Sequence, residues 1–217
     1  SLYNNNLEGV IPNSISNCTQ LIWVQIGYNK FTGEIPDSIG NLRLLECLRL
    51  DGNNLTSPGL KFITSLSSCQ YLHDLSLSGN PLNGNIPISI GNLSALERFI
   101  ADGCKIRGNI PVEFGKLNNL IELSLRDNHL TGLVPPTMKA VQRLDISNNA
   151  IRGSTLYTLC NLGNLFSLTL DGNNISAPIP DCLGKVMSLR EVYFRNCGIT
   201  STPPSFWDLE NLRDLDL

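Results

Sequence analysis

Apolar and polar positions along this chain follow one long-period pattern. Short L-x-L segments, such as Leu48-Arg49-Leu50, Leu123-Ser124-Leu125 and Leu168-Thr169-Leu170, alternate apolar and polar residues. Side chains alternate faces along a strand, so each segment predicts a strand with its leucines inward. A turn follows, anchored by one recurring position that holds Asn5, Asn29, Asn53, Asn80, Cys104, Asn128, Asn149, Asn173 and Cys197. The successive gaps are 24, 24, 27, 24, 24, 21, 24 and 24 residues. After the anchor comes Gly-x-Ile-Pro or a close variant, at Ile11-Pro12, Ile35-Pro36, Ile86-Pro87, Ile110-Pro111, Val134-Pro135 and Ile179-Pro180. Proline has no N–H and suits extended or first-turn positions. A short helical or 3-10 turn is therefore expected next, as over Asp37-Ser38-Ile39-Gly40-Asn41-Leu42.

A fixed period in this range, with leucines and one Asn-or-Cys slot, is the signature of a leucine-rich-repeat solenoid. The expected class is α/β, with a parallel concave β-sheet and short helical or 3-10 turns on the convex side. Residues 1–217 read as a single array of about nine coils, each touching only its neighbours. The first coil lacks its opening strand residues, and Leu215-Asp216-Leu217 lies just inside a tenth strand. Neither end offers a polar cap, so the chain reads as a fragment of a longer protein. The anchor asparagines should form a ladder, since one amide side chain satisfies both N–H and C=O groups of a buried turn. Cys104 and Cys197 satisfy fewer groups, and their levels should be looser.

Three coils depart from the pattern. The third replaces Ile-Pro with Ser57-Pro58-Gly59-Leu60-Lys61-Phe62-Ile63-Thr64-Ser65-Leu66 and is three residues longer, consistent with a true helical turn. The sixth, around Pro135-Pro136-Thr137-Met138, is three residues shorter. The last carries Pro203-Pro204.

The repeated Leu-x-Gly-x-Ile-Pro resembles the plant-specific class of leucine-rich repeat, along essentially the whole chain. It is most similar to ectodomains of plant receptor-like kinases, especially the immune-receptor group sensing bacterial flagellin or elongation factor. The segment from Leu55 through Cys69, followed by Gly79-Asn80-Pro81-Leu82-Asn83-Gly84-Asn85-Ile86-Pro87, looks like that group's irregular repeat. The resemblance implies a secreted, non-catalytic segment that binds a peptide or protein and signals in immunity or development. It places the chain at the extracellular face of the plasma membrane or in the apoplast, with a co-receptor as a further partner. It also implies a membrane span and a kinase elsewhere in the full-length protein. Polygalacturonase-inhibiting proteins share the repeat without a kinase, so a secreted inhibitor of a cell-wall hydrolase is the alternative.

Net charge is -3 with no lysine or arginine run, which disfavours nucleic acid and anionic membrane as partners. No stretch reaches 18 consecutive apolar residues, so no membrane contact is expected within the segment. Of seven cysteines, Cys104 and Cys197 take the ladder slot, Cys18 and Cys69 take an inward slot, and Cys47 sits at a strand edge. Cys160 and Cys182 fall on convex segments of adjacent coils, offset by two residues, which leaves a disulfide between them open. Sequons begin at Asn17, Asn54, Asn92 and Asn174, the expected glycosylation sites of an extracellular domain.

Little in the chain suggests an enzyme. His73 and His129 lie more than two coils apart, no Cys/His cluster has metal spacing, and the glycines recur with the repeat. No cofactor is expected. Asp51-Gly52, Asp102-Gly103 and Asp171-Gly172 are the same turn repeated, their carboxylates placed to accept backbone N–H groups.

The outward columns of the concave sheet are the expected binding face. Strands about 4.8 Å apart would build a surface on the order of 45 Å long, enough for roughly a dozen extended residues. Arg98-Glu122-Arg143, Asp102-Arg126 and Asp171-Arg195 are expected to pair across strands. Three clusters stand out: Arg98, Ile100, Asp102, Glu122 and Arg126 at the centre, Trp23 and Gln25 at one end, Tyr193 and Arg195 at the other. Ile100 is expected to be solvent-facing, and the central cluster is the first candidate for a ligand, because aromatic and arginine side chains dominate interface energetics.

Overall fold

The computed structural model describes residues 1–217 and shows one coil repeated along the chain, with all nine concave strands in one parallel sheet. Those strands are Trp23–Gln25, Cys47–Arg49, Asp74–Ser76, Arg98–Ile100, Glu122–Ser124, Arg143–Asp145, Ser167–Thr169, Glu191–Tyr193 and Asp214–Asp216. They pair in strict chain order and in register, as Leu48↔Leu75, Phe99↔Leu123 and Val192↔Leu215 show. The 24-residue period fixes this register: each coil delivers its central leucine to the same level, and a slip would turn it to solvent.

A single continuous core runs from Ile11 to Leu209, with Phe62, Phe99, Phe114, Phe194 and Phe206 among its fully buried side chains. The convex side carries 3-10 turns such as Asp37–Asn41, Ile88–Asn92 and Val112–Lys116, each entered through an extended proline. In the third coil the longer segment forms the expected helical turn, Phe62–Ser65, flanked by 3-10 turns.

Two features lie outside the sequence reading. The segment after the ladder builds a second parallel sheet on one flank, from Glu8–Val10, Lys30–Glu34 and Asn54–Thr56, and again from Arg107–Asn109 and His129–Thr131. It breaks after the third coil's strand and resumes from the fourth coil, where Gly84 bridges Ile106. The seventh coil is also a departure, since Arg152-Gly153-Ser154 replaces Gly-x-Ile-Pro and the chain forms the helix Thr155–Leu159. Cys160 at the end of that helix is disulfide-bonded to Cys182 of the next coil, with Cα atoms 5.5 Å apart. The helix alters the convex path, which brings the two offset cysteines within bonding distance.

The ladder forms as one repeated motif. Asn53 Nδ2 lies within reach of the carbonyls of Leu50, Asp51 and, one coil back, Ile26, while its Oδ1 accepts the Phe31 N–H at 2.9 Å. Asn29, Asn80, Asn128, Asn149 and Asn173 repeat it. Asn5 departs from the expectation: it is exposed, and its Nδ2 reaches only the Leu2 and Tyr3 carbonyls of its own coil. Cys18, in the first convex turn, is exposed rather than inward.

The two ladder cysteines are buried and supply only sulfur. Cys104 Sγ lies 3.3 Å from Leu77 O and 3.4 Å from Asp102 O. Cys197 Sγ lies 3.0 Å from Leu170 O. With no ladder oxygen at 104, the Leu82 N–H donates instead to Asn80 O within its own turn, at 2.8 Å.

Candidate ligand-binding face

Facing the concave side is not the same as being exposed. Ile100, expected to face solvent, is 8% exposed. Its register partners Ser76 and Ser124 are buried as well, and so are Cys47, Asp51 and Asp74. Strand rows sit close together on the inner side of a curved stack, so side chains in the middle coils cover one another. Of the central cluster Ile100 is floor, while Arg98, Asp102 and Glu122 are half-buried and Arg126 is exposed.

That floor is polar and internally bonded. Arg49 pairs with Asp74, and Ser76 Oγ donates to Asp51 Oδ1. Asp102 Oδ1 accepts from Ser124 Oγ at 2.6 Å and from the Arg126 backbone N–H at 2.9 Å. The Asp102 N–H in turn donates to Ser78 Oγ at 3.0 Å, and the Arg195 N–H donates to Asp171 Oδ1 at 2.7 Å. Of the three Asp-Gly carboxylates, Asp102 and Asp171 accept backbone N–H groups of the following coil, whereas Asp51 accepts only the Ser76 hydroxyl. They form a second rung system along the lip of the concave face. Burial pushes the Asp102 carboxyl up, against the lowering effect of its hydrogen bonds from Ser124 and Arg126.

The expected cross-strand pairs divide. Arg98 Nε lies 3.0 Å from Glu122 Oε2, and Arg195 Nε lies 3.3 Å from both Asp171 Oδ2 and Asp216 Oδ2. Asp102 and Arg126 do not pair through their side chains, because the Arg126 guanidinium turns to Asp127, 3.0 Å away. Glu122 and Arg143 do not pair either, since the Arg143 guanidinium lies over the ring of Phe166. Contacts to residues outside the strand columns captured both arginines.

The exposed groups lie towards the two ends. Trp23 is 62% exposed, its Nε1 donating to Glu46 Oε2 at 3.3 Å, with half-buried Gln25 two residues along the strand. Tyr28 stacks edge-on with Tyr3 at 5.3 Å. At the other end Tyr193 donates its hydroxyl to Asp214 Oδ2 at 2.6 Å, which pushes the phenol up to about 12. A recess of about 430 Å³ opens there, between Arg126 and Arg195, over Asp145, Ser147, Thr169, Asp171 and Tyr193. A hollow of about 450 Å³ on the opposite flank, beside Glu34, Asp37 and Lys61, lies away from these columns. Of the sequence candidates, the recess brings Arg126, Tyr193 and Arg195 together and leaves Trp23 and Gln25 apart. It adds Asp145, Ser147 and Thr169, which no local motif marks.

Asn17, Asn54, Asn92 and Asn174 are all exposed and none stands on a concave strand. Asn17 and Asn92 end equivalent convex turns, and Asn54 opens a flank strand. No helix is long and apolar enough to cross a membrane.

The family model "Leucine Rich Repeat" matches residues 1–18, 20–42, 71–93, 119–141, 140–162, 164–186 and 188–209, and the chain belongs to that family. The stretches it skips contain the irregular third coil and the coil of Cys104. Among proteins of Arabidopsis thaliana, the chain is 36% identical over 152 residues to Receptor-like protein 32, covering 67% of this chain and 14% of the relative. It is 35% identical over 98 residues to LRR receptor-like serine/threonine-protein kinase EFR, covering 45% of this chain and 7% of the relative. The fold superposes with a TM-score of 0.87 at 30% identity on the plant peptide hormone receptor RGFR1 in complex with RGF2, over 100% of this chain and 39% of that one. The chain thus spans a small part of the plant receptors with which it shares its repeats.

Proposed function

We propose that this chain is part of the extracellular recognition domain of a plant receptor-like protein or receptor-like kinase, signalling in immunity or development. Residues 1–217 form one repeat array within it, and the array takes an extended peptide or protein segment on its concave face. The recess between Arg126 and Arg195 carries this reading, because it alone joins exposed arginines, an aromatic side chain and unburied polar groups on the concave sheet. The likeness to a peptide hormone receptor in complex with its ligand supports it. Tyr193 and Arg195 would contact the ligand first, with Arg126, Glu122 and Arg98 extending the surface and Trp23 and Gln25 reached only by a longer ligand. Asp102 and Ile100 act beneath that surface. Glycans on the four sequons would leave the concave face open, and a co-receptor would join beside the bound ligand.

Selection of a displayed dodecapeptide library on the folded chain tests this. Peptides recovered should bind Tyr193→Ala and Arg195→Glu variants about tenfold more weakly, the loss expected when a charged hydrogen-bond partner is removed. Far-UV circular dichroism should be unchanged. If both variants bind the selected peptides as well as the parent, the recess is not the site. Tight capture of a polygalacturonase with no peptide enrichment would favour the hydrolase-inhibitor reading.

A further inference from the structure

A second charged surface lies off the concave face, on the flank at the N-terminal ends of the concave strands. Gln142, Phe166, Arg190 and Arg213 occupy one row there in successive coils. The Phe166 N–H donates to Gln142 O at 2.7 Å, the Arg190 N–H to Phe166 O at 2.9 Å and the Arg213 N–H to Arg190 O at 2.8 Å. Phe166 is half-buried, and arginines from the coils before and after converge on it. The guanidinium carbon of Arg143 lies 5.7 Å from the ring centroid and that of Arg190 lies 5.1 Å from it.

None of Arg143, Arg190 and Arg213 takes part in an ion pair, whereas Arg49, Arg98, Arg126 and Arg195 all do. Of the acids in register, Glu122 faces Arg143 but pairs with Arg98, Asp214 is engaged by the Tyr193 hydroxyl, and Glu191 stands on the adjoining concave column. A guanidinium held over a ring is attracted by the ring face and gives up none of its N–H donors. The stack therefore positions two forks of donors while leaving them free for planar, bidentate oxyanions.

We infer that Arg143 and Arg190, stacked on Phe166, form a carboxylate-binding clamp for an acidic segment of a partner peptide or protein that approaches this flank. Arg213 extends the row by one level, so the clamp reads acidic side chains spaced along an extended strand. The chain carries no lysine or arginine run of the kind that nucleic acid or anionic membrane needs, and a few unpaired guanidiniums suit a short acidic segment of a protein. The clamp lies outside the concave recess and stands or falls independently of the ligand proposed there.

Fluorescence anisotropy with labelled decaglutamate at low ionic strength tests the clamp, with decalysine and a decameric oligogalacturonate as comparison probes. Decaglutamate should bind the parent chain, and Arg143→Gln and Arg190→Gln should each weaken it about tenfold. Arg190→Lys should also weaken binding, because charge is kept and the fork is lost. Phe166→Leu should weaken binding with circular dichroism unchanged, an effect that diffuse charge attraction does not predict. Arg107→Gln on the opposite flank should leave the clamp intact. The proposal is overturned if decaglutamate fails to bind, if Arg107→Gln costs as much as Arg190→Gln, or if Phe166→Leu has no effect. Binding of oligogalacturonate without decaglutamate would overturn the protein partner and assign the clamp to a polyuronate.

Discussion

Asn128 Oδ1 accepts two backbone N–H groups from the coil of Cys104: that of Cys104 itself at 3.1 Å and that of Ile106 at 2.8 Å. No other ladder asparagine does double duty as acceptor in this way. The residue one coil on thus ties down the turn where cysteine interrupts the ladder. Asn128→Ala removes the one acceptor serving both N–H groups and three donor contacts, to Ala101, Leu125 and Arg126 carbonyls. Each buried group left unpaired costs about 1–3 kcal/mol, so a loss of about 3 kcal/mol or more is expected in urea unfolding. A loss under about 1 kcal/mol would mean that water replaces the ladder there.

Gly40 tests the convex side. Its φ is ordinary, and a Cβ built on it would lie 2.2 Å from the Ser65 carbonyl oxygen of the next coil. The repeated glycine of the Ser-Ile-Gly-Asn turn is there for close approach between coils rather than for turn geometry. Gly40→Ala should destabilise by about 1–3 kcal/mol through overpacking against backbone. Gly163→Ala, with nothing within 4 Å, serves as the control and should shift the unfolding midpoint little.

Thiol chemistry should separate the cysteines. Cys18 is exposed, while Cys47, Cys69, Cys104 and Cys197 are buried. Burial pushes the Cys104 thiol up to about 12 and that of Cys69 up to about 11, so neither forms reactive thiolate at neutral pH. Titration of the native chain with an aromatic disulfide reagent at pH 8 should label one thiol quickly. The other four should react only on unfolding, and Cys160 and Cys182 only after reduction. Rapid labelling of Cys104 would show that its coil opens locally.

Asp102 gives a pH dependence with a definite sign. Its folded-state carboxyl is raised, chiefly by burial, so folding favours the protonated form. Its contribution to stability is then present below the unfolded value of about 3.9 and lost as pH rises through the higher folded value. Asp102→Asn keeps an acceptor for Ser124 and Arg126 and carries no charge. Relative to the parent, this variant should gain stability on going from pH 4 to pH 7, measured as urea midpoints. A relative loss over that window would show that the charge, with Arg126 nearby, stabilises the fold.

The repeat itself was legible because each rule behind it is local. The L-x-L alternation, the anchor asparagine, the Ile-Pro entry and the longer third coil each follow from a few adjacent residues, and stacking at a fixed period follows from their recurrence. The flank sheet was missed because its pairing joins residues of neighbouring coils, and no residue type marks it. The helix Thr155–Leu159 replaces a motif that is simply absent, a weaker signal than a motif that is present.

The candidate site divides along the same line. Sequence alone determined which side chains enter the concave columns, and so placed Arg98, Glu122, Arg126, Tyr193 and Arg195 on that face. Only the tertiary structure decided that Ile100 is covered, that Arg126 turns to Asp127, that Asp171 bonds the backbone of the next coil, and that Arg143 and Arg190 meet over Phe166. The physical reason is that column membership is set by the two-residue period of a strand. Exposure and pairing depend instead on stack curvature and on which neighbouring coil a long side chain can reach.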